Sequence, residues 1–466
     1  MSVNETNSNQ SPDARVTARL ADWIVSVSGE DIPPVVRREG LRTFVNWTGC
    51  AVGGARHETV DCAIAATLPF SGKPTSTVLG RGERVDALHA AFLNGISSHV
   101  LDFDDTHLKT IIHPAGPVAS ALLALAETRP MSGSDLLNAL IVGVEVECRI
   151  GNSVYPDHYD RGWHITGTAG VFGAAAAVGK AIGLSVQQMR WALGIAASQS
   201  AGLREMFGTM TKSFHPGRAA QNGAFAALLA EANFDSSEQA IEAPRGFANV
   251  MSDKQDYSEI VSDLGIRWEA GLNSYKPFAC GIVIHPTIDG CLQLRDEIGD
   301  RVNHISSVKL KTHPLVLELT GKKTPATGLE GKFSIYHAAA CALLRGDGAP
   351  TAFTDEVVNL AKIVELRDKV SALTNPNCHE ASVDIDIVFD DGSQISKHVE
   401  RTIGSSDVPL SDEQINQKFT TQAALVIGDE ATTKLLACCW GLESLANAAG
   451  IAVVSVPKDN APTKAN

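Results

Sequence analysis

The sequence predicts a mainly α-helical protein with a smaller α+β part. A large all-helical domain is formed by both ends of the chain, and a lid domain by the segment between them. Two observations support this fold class. Apolar residues recur at helical spacing over about 16–233 and again after residue 410, whereas they alternate with polar residues in two stretches between 265 and 400. These periods, 3.6 and 2 residues, are typical of amphipathic helices and of half-buried strands.

The helical part is indicated by successive apolar segments rich in alanine and glycine. They include TARLADWIVSV, GSDLLNALIVGVEVECRIG, VQQMRWALGIAASQSAGL and QNGAFAALLAEANF, and Ser185 before VQQM is an N-cap signal. Small residues let helix axes approach closely. We therefore expect residues 1–265 to form one helical domain. Residues 400–466 should return to it, because SDEQINQKFTTQAALV and TTKLLACCWGLESLANAAG are helical again.

The pattern changes near Gly265. The segments HISSVKLKTHP and ASVDIDIVFDDGSQISKHVERT alternate apolar and polar residues, as strands with one buried face do. Asp391-Gly392 lies between two such runs and indicates a hairpin. Between the two segments, KFSIYHAAACALLRGDG predicts a helix that ends at a glycine. Residues 266–399 are therefore predicted to form an α+β lid domain.

Charge and composition narrow the classes of partner. Lys plus Arg number 39 and Asp plus Glu 53, which gives a formal net charge of −14. Such an acidic chain is a poor partner for nucleic acid or an anionic membrane surface, so neither is expected. The polar ends, residues 1–15 and 456–466, are predicted to be a disordered lead-in and a frayed tail. The lead-in carries no apolar signal segment, and nine cysteines without paired spacing favour free thiols in a reducing cytoplasm.

Four polar clusters are candidates for chemistry. They are DFDDTHLKTIIHP with Asp102, Thr106, His107 and His113; YDRGWHITGTAG with Tyr159, Arg161 and His164; TKSFHPGRAAQNG with Lys212, His215 and Arg218; and SYKPFACGIVIHP with Tyr275, Lys276 and His285. Three of them precede a helix, whose N-terminus favours a bound carboxylate. Histidines and lysines that titrate towards neutral pH suit proton transfer on an anionic substrate. The alternative is that each histidine before a proline only marks a loop end.

Neither a cofactor nor a metal is expected. The sequence contains no P-loop, no G-x-G-x-x-G after a strand, no H-E-x-x-H and no G-x-S-x-G. Asp102, Asp104 and Asp105 resemble a group of ligands for a hard cation, but no regular ligand spacing supports that interpretation. The alternative is that one aspartate caps a helix and another pairs with a base.

Several ordered motifs carry a resemblance to a known family. They are HVLDFDDTH…HPAGPV, GWHITGTAGVFGAAAAVGKAIGL, ALGIAASQSAGL, TKSFHPGRAAQNG and YKPFACGIVIHP. In these motifs the chain resembles the MmgE/PrpD family over nearly its whole length. The resemblance implies a large all-α domain built from both chain ends and a smaller α+β lid. It also implies a pocket between the two that needs no metal or organic cofactor, and a homodimer.

The same resemblance implies the site. The acid/base and binding positions of the family fall on Asp102, Thr106, His113, His164, Lys212 and Lys276. We expect the two histidines and two lysines of this set to be catalytic, and Asp102 and Thr106 to bind and orient the substrate. The polar clusters add His215, Arg218 and Tyr275 as further substrate-binding candidates.

The chemistry implied by the resemblance is removal of a proton beside a carboxylate of a small di- or tricarboxylate, which needs positive groups in a water-poor site. The family includes 2-methylcitrate dehydratases, cis-aconitate decarboxylases and iminodisuccinate epimerases. This chain has His107 where the dehydratases carry a tryptophan. Near the position of the decarboxylases' lid tyrosine it has LTGKKTPATG, with no tyrosine before Tyr336. Both departures favour epimerisation of iminodisuccinate. A lyase of the same family, or a non-catalytic binding protein on this fold, are the alternatives.

Overall fold

The computed structural model describes residues 15–457. The lead-in and tail that the sequence predicts to be disordered lie almost entirely outside this range. Within it the predicted fold class is confirmed, because helices dominate and the strands form small sheets. A search of residues 15–457 finds no helix with the length and apolar character that a membrane crossing requires.

The first part of the chain is a succession of helices. They are α1 (Val16–Ser26), α2 (Pro34–Gly53), α3 (Glu58–Thr67), α4 (Ala87–His99), α5 (Ala115–Ala126), α6 (Gly133–Val154), α7 (Asp157–Asp160), α8 (Ile165–Ala181), α9 (Val186–Ala197), α10 (Met210–Glu231), α11 (Phe247–Met251) and α12 (Ser258–Val261). The predicted N-cap of α9 is confirmed: the Ser185 side chain accepts a hydrogen bond from the Gln188 backbone, and Gln188 completes a capping box.

The last part of the chain packs against the first. Its helices are α19 (Asp412–Ile427), α20 (Asp429–Trp440) and α21 (Gly450–Val454). Phe419 of α19 belongs to the same buried cluster as Phe44 and Trp47 of α2. The two helices approach closely at Gly49, where an added Cβ would lie 2.8 Å from the Phe419 ring. One hydrophobic core therefore joins both ends of the chain.

The segment between them contains a mixed sheet covered by helices. Its helices are α13 (His285–Ile298), α14 (Pro314–Thr320), α15 (Gly328–Gly331), α16 (Ile335–Arg345), α17 (Asp355–Val358) and α18 (Ala361–Asp368). The strands of the whole chain are β1 (Ser76–Thr77), β2 (Arg84–Val85), β3 (Asp105–His107), β4 (Asn273–Tyr275), β5 (Ile305–Thr312), β6 (Val370–Thr374), β7 (Val383–Phe389) and β8 (Gln394–Val399). The sheet order is β6-β5-β7-β8, with β5 and β6 parallel. The predicted hairpin at Asp391-Gly392 joins β7 to β8.

A short strand pair links the first and middle parts of the chain. Residues of β3 pair antiparallel with β4, so that Asp105 faces Tyr275 and His107 faces Asn273. Tyr275 also belongs to the core shared by the chain ends. The predicted division of the chain at residues 265/266 and 399/400 stays a prediction, and β3–β4 is the connection across the first of these boundaries.

Candidate active site

A small cavity lies where the first and middle parts of the chain meet. Its volume is about 30 Å³, room for about two water molecules. The lining residues are Asp102, Ile111, His113, Tyr159, His164, Phe207, Lys212, Lys276, Gly281, Ile282, Val283, Leu319, Thr320 and Phe333. The predicted site residues Asp102, His113, His164, Lys212 and Lys276 are thus brought together at one cavity.

Asp102 holds the two lysines of the cavity. It follows α4 with a φ of 50°, a left-handed conformation that aspartate tolerates better than most residues. Its Oδ1 accepts hydrogen bonds from Lys276 Nζ at 2.5 Å and from Lys212 Nζ at 3.0 Å. Its Oδ2 is buried and has no partner among residues 15–457. One carboxylate therefore bridges two ammonium groups and keeps one oxygen unused.

A close helix crossing aligns Lys212 with a histidine that the sequence did not reveal. An added Cβ on Gly95 of α4 would lie 2.6 Å from the Cα of Gly217 in α10. This approach sets His99, at the end of α4, beside Lys212, in the first turn of α10. Lys212 Nζ lies 2.8 Å from His99 Nε2, and His99 Nδ1 lies 2.6 Å from Asp104 Oδ2. Because the carboxylate can only accept, His99 donates from Nδ1 and accepts the ammonium proton at Nε2.

The two lysines differ in acidity. Burial lowers the pKa of Lys212 below its ordinary value, although the Asp102 charge opposes this. Burial alone would also lower the pKa of Lys276, but the charges of Asp102 and Asp104 raise it above its ordinary value. Burial would raise the pKa of Asp102, yet Lys212 and Lys276 hold it well below its usual range. Lys276 is therefore a permanent cation, and Lys212 loses its proton more easily.

His113 is held as a neutral ring. Its Nδ1 donates to the Asp105 carbonyl oxygen at 2.7 Å, and the Thr106 hydroxyl lies 3.2 Å from the same nitrogen. The predicted binding residue Thr106 is thus buried and contacts His113, and it does not line the cavity. Burial and the neighbouring Lys276 charge lower the pKa of His113 well below its ordinary value. Nε2 of His113 is therefore an unprotonated acceptor.

His164 lies across the cavity as the N-cap residue of α8. Its Nδ1 is 2.8 Å from Nδ1 of His215 in α10, and its ring meets the Phe207 ring edge-on at 5.0 Å. Burial, followed by the charges of His215 and Lys212, lowers the pKa of His164 well below its ordinary value. His215 does not line this cavity; it reaches the site through His164.

Two predicted binding residues lie elsewhere. The Tyr275 hydroxyl bonds to Glu39 at 2.5 Å and lies 3.0 Å from the Thr43 hydroxyl. It points away from the cavity because adjacent residues along a strand point to opposite sides, and Lys276 points towards the cavity. Arg218 is exposed and donates to Gln221 at 2.6 Å. It lies six residues after Lys212 on α10, which at 100° per residue places it on another face.

Sequence reasoning missed, besides His99, the rings of Phe207 and Phe333, which line the cavity, and Lys332, which lies beside it without lining it. Lys332 is buried and donates to the carbonyl oxygens of Leu101 at 2.6 Å and Ala279 at 2.9 Å, and burial lowers its pKa to about 8. The stacked rings of Phe207 and Phe333 lie 5.4 and 5.6 Å from Lys212 Nζ. The signals for these residues were the place of His99 three positions before the DFDDTH motif and of Lys332 as the first residue of the KFS motif.

The described residues offer two groups that could hold a metal: His99, His113 and His164, and His99, Asp102 and Asp104. Both groups depend on His99. Its Nδ1 already bonds Asp104 and its Nε2 already accepts from Lys212, so neither nitrogen has a free lone pair. The geometry therefore favours ammonium groups, and not a metal, as the positive charges of the cavity.

Comparison with known proteins identifies the family. The MmgE/PrpD N-terminal domain matches residues 18–260, and the MmgE/PrpD C-terminal domain matches residues 278–442. The chain belongs to the MmgE/PrpD family.

Individual relatives narrow the reaction class. The chain is similar to the cis-aconitate decarboxylase of Aspergillus terreus, with 26% identity over 92% of this chain and 94% of the relative. It is also 28% identical to those of Mus musculus, over 92% and 91%, and Homo sapiens, over 92% of each chain. These relatives support the lyase alternative and lend no support to the epimerase that the sequence favoured.

Proposed function

We propose that this protein is a lyase that removes carbon dioxide from a small tricarboxylate, with cis-aconitate as the leading candidate substrate. The observation that carries the proposal is the small cavity in which Lys212 and Lys276 share the Asp102 carboxylate beside neutral His113 and His164. The relatives named cis-aconitate decarboxylases support the same class of reaction.

Substrate binding is supported by the charge around the cavity. Lys212 and Lys276 are the two ammonium groups among the lining residues, and Asp102 is the one carboxylate among them. The surroundings are therefore net positive, and an anionic substrate balances that charge where little water screens it. Hydrogen bonds between ammonium and carboxylate groups are among the strongest in proteins, so these lysines are the binding groups.

The reaction needs the same charges. When the bond between the carboxyl carbon and its neighbour breaks, carbon dioxide leaves as a neutral molecule and the electron pair stays on the substrate. Lys212 and Lys276 stabilise the negative charge that develops there. The apolar side chains of Ile111, Ile282 and Leu319 exclude water and favour the departure of a neutral product. A histidine of the cavity wall then donates one proton to the carbanion.

Proton NMR in deuterium oxide with a panel of di- and tricarboxylates tests this proposal. We expect cis-aconitate to lose carbon dioxide and the dicarboxylate product to gain one deuteron. Exchange of substrate protons without loss of carbon would indicate an epimerase, and formation of a new double bond with loss of water would indicate a dehydratase. No turnover of any carboxylate would indicate a binding protein. Each of the last three results contradicts the proposal.

A further inference from the structure

A second pocket lies behind His164, on the side away from the cavity. Its volume is about 230 Å³, room for several waters. It is lined by exposed residues, among them Thr211 and Arg218, and by the polar side chains of Gln199 and Asn222. His215 also lines it. The pocket is therefore wet, and its lining residue His215 contacts His164, which lines the cavity.

The two rings share one proton. His164 Nδ1 and His215 Nδ1 are 2.8 Å apart, so one nitrogen donates and the other accepts. Neither Nε2 makes a hydrogen bond to any residue between 15 and 457. The pair therefore presents one free nitrogen on the His164 ring, which lines the cavity, and one on the His215 ring, which lines the wet pocket.

The proposed reaction creates a need for such a connection. Decarboxylation replaces carbon dioxide with a proton, so each turnover consumes one proton inside a cavity that holds only about two waters. Two other hydrogen-bonded paths from the cavity end inside the protein. Lys212 leads through His99 to buried Asp104, and His113 leads to a backbone carbonyl. The His164–His215 path continues to a pocket lined by exposed residues.

We propose that His164 and His215 form the proton-entry path of the enzyme, and that His215 relays protons from the water of the second pocket. His164 Nε2–H bonds to the carbanion carbon as the N–H bond breaks. His164 Nδ1 takes the shared proton from His215, and His215 Nε2 takes a proton from water. One proton enters and one is consumed, and both rings end in their other neutral tautomer. When the product leaves and water enters the cavity, His164 Nε2 takes a proton from that water, the shared proton returns to His215 Nδ1, and His215 Nε2 releases its proton to the second pocket, which restores the first tautomers.

The groups around His164 and His215 favour transfer of a proton over a lasting positive charge on either ring. Burial, followed by the charges of His99 and Lys212, lowers the pKa of His215 to about 4. The groups that face the pair are His99, His113 and Lys212, and each opposes a lasting positive charge on it. The proton is therefore passed on as soon as the carbanion forms. This inference rests on the proposed decarboxylation.

Replacing His215 tests the relay. In His215→Ala we expect kcat to fall about 10²-fold with KM nearly unchanged, because general acid catalysis contributes about 10²–10⁴-fold. Added imidazole should enter the enlarged pocket and restore at least a tenth of the lost rate. In His215→Asn, the amide preserves a hydrogen bond to His164 but cannot relay a proton, so kcat should stay low. Thr211→Val, which lines the same pocket, is the matched control and should keep normal kcat.

Two results would overturn the relay. One is normal kcat in both His215 variants. The other is a loss that His215→Asn repairs and imidazole does not, since that pattern indicates a structural contact only. Solvent exchange of the shared Nδ1 proton, measured by NMR of histidine-labelled resting protein, separates this inference from the reaction. A Thr211→Trp variant that fills the pocket should slow this exchange at least tenfold relative to Thr211→Val, whether or not cis-aconitate is turned over. Equal exchange in the two variants contradicts the relay, and absence of carbon dioxide release contradicts the proposed reaction.

Discussion

The Asp102 carboxylate is the residue on which the cavity depends most. It bridges Lys212 and Lys276 through one oxygen, while its other oxygen has no partner in the described part of the chain. Two buried ammonium groups side by side repel each other strongly where the dielectric is low. The carboxylate offsets that repulsion, so its charge controls both the stability of the site and the protonation of the lysines.

An Asp102→Asn variant should therefore lose both stability and activity. The amide keeps the shape but removes the charge, and leaving buried charges uncompensated costs about 3–5 kcal/mol in the free energy of unfolding. Turnover should fall about 10²-fold, because the lysines lose protons and no longer stabilise the carbanion. Urea unfolding and steady-state kinetics measure the two effects. Asp253→Asn, at a surface ion pair with Arg161, is the control and should change the free energy of unfolding by less than about 1 kcal/mol. Equal behaviour of the two variants would contradict this role of Asp102.

A Lys212→Ala variant should lose turnover by about 10²-fold or more and keep its fold. Removing one group that stabilises transition-state charge typically costs about 10²–10³ in kcat, whereas the fold is kept because Asp102 stays paired with Lys276. Kinetics and thermal unfolding check the two halves of this prediction, with exposed Lys254→Ala as the control. Near-normal turnover in both Lys212→Ala and His164→Ala, with a correct fold, would place the chemistry elsewhere.

Several residues of the cavity could be predicted from the sequence, and others could not. Polar clusters in otherwise apolar segments predicted Asp102, His113, His164, Lys212 and Lys276, and the structure brings all five to one cavity. A polar cluster in the sequence does not show which way each of its side chains points. Strand alternation turns Tyr275 towards Glu39, and helix geometry turns Arg218 towards Gln221. His99 and Lys332 were missed because each lies within or beside an apolar helical pattern. Such a pattern does not show which group a polar residue will contact.

At the scale of elements, the crossing of α4 and α10 positions the Lys212–His99–Asp104 chain. The helices approach closely at Gly95 and Gly217, so that the last residue of one lies beside the first turn of the other. A side chain at either glycine would separate the axes. The crossing therefore links the packing of the core to the geometry of the cavity.

A Gly95→Ala variant should test that link. The new Cβ would meet the Gly217 backbone at 2.6 Å, and overpacking of this kind costs about 1–3 kcal/mol in the free energy of unfolding. We expect kcat to fall at least tenfold, because Lys212 and His99 move apart. Gly450→Ala, where an added Cβ meets nothing within 4 Å, is the control. Normal kcat in a folded Gly95→Ala protein would show that the crossing does not position the site.

Secondary-structure elements also differ in how clearly the sequence predicts them. Strands β5, β7 and β8 were predicted because their apolar and polar residues alternate over six to eight positions. Strand β6 is a short edge strand in which a single buried valine is followed by four exposed or half-buried residues, so it shows no clear period. The β3–β4 pair joins segments of three residues each that are far apart in the chain. Pairing of that kind is set by tertiary packing and leaves no local pattern.

For the whole molecule, many buried neutral histidines couple stability to pH. Burial lowers the pKa of His57, His158, His215 and His337 to about 4 in each case. In the unfolded chain a histidine has a pKa of about 6.5. Between these values the unfolded state binds protons that the folded state does not, so the free energy of unfolding falls as the pH decreases. The full stability is present above about pH 6.5.

The free energy of unfolding should therefore fall steeply on acidification, and these histidines should account for the fall. Each histidine contributes a loss of about 1.4 kcal/mol per pH unit within the window from about 6.5 to 4. Urea unfolding at pH 7 and pH 5.5 measures the slope. His337→Gln should reduce it by about one histidine's share, and exposed His304→Gln should not change it. A free energy of unfolding that stays constant or rises on acidification would contradict this account.

The central claim is that a net positive, nearly dry cavity decarboxylates a tricarboxylate with the protein's own side chains. The most direct measurement is release of ¹³CO₂ from cis-aconitate labelled in its carboxyl groups, followed in deuterium oxide with the unaltered protein and with Lys212→Ala. The account predicts one deuteron in the product for each ¹³CO₂ released by the unaltered protein, and a loss of about 10²-fold or more in Lys212→Ala. Deuterium in recovered substrate with no ¹³CO₂, or equal release by both proteins, would contradict it.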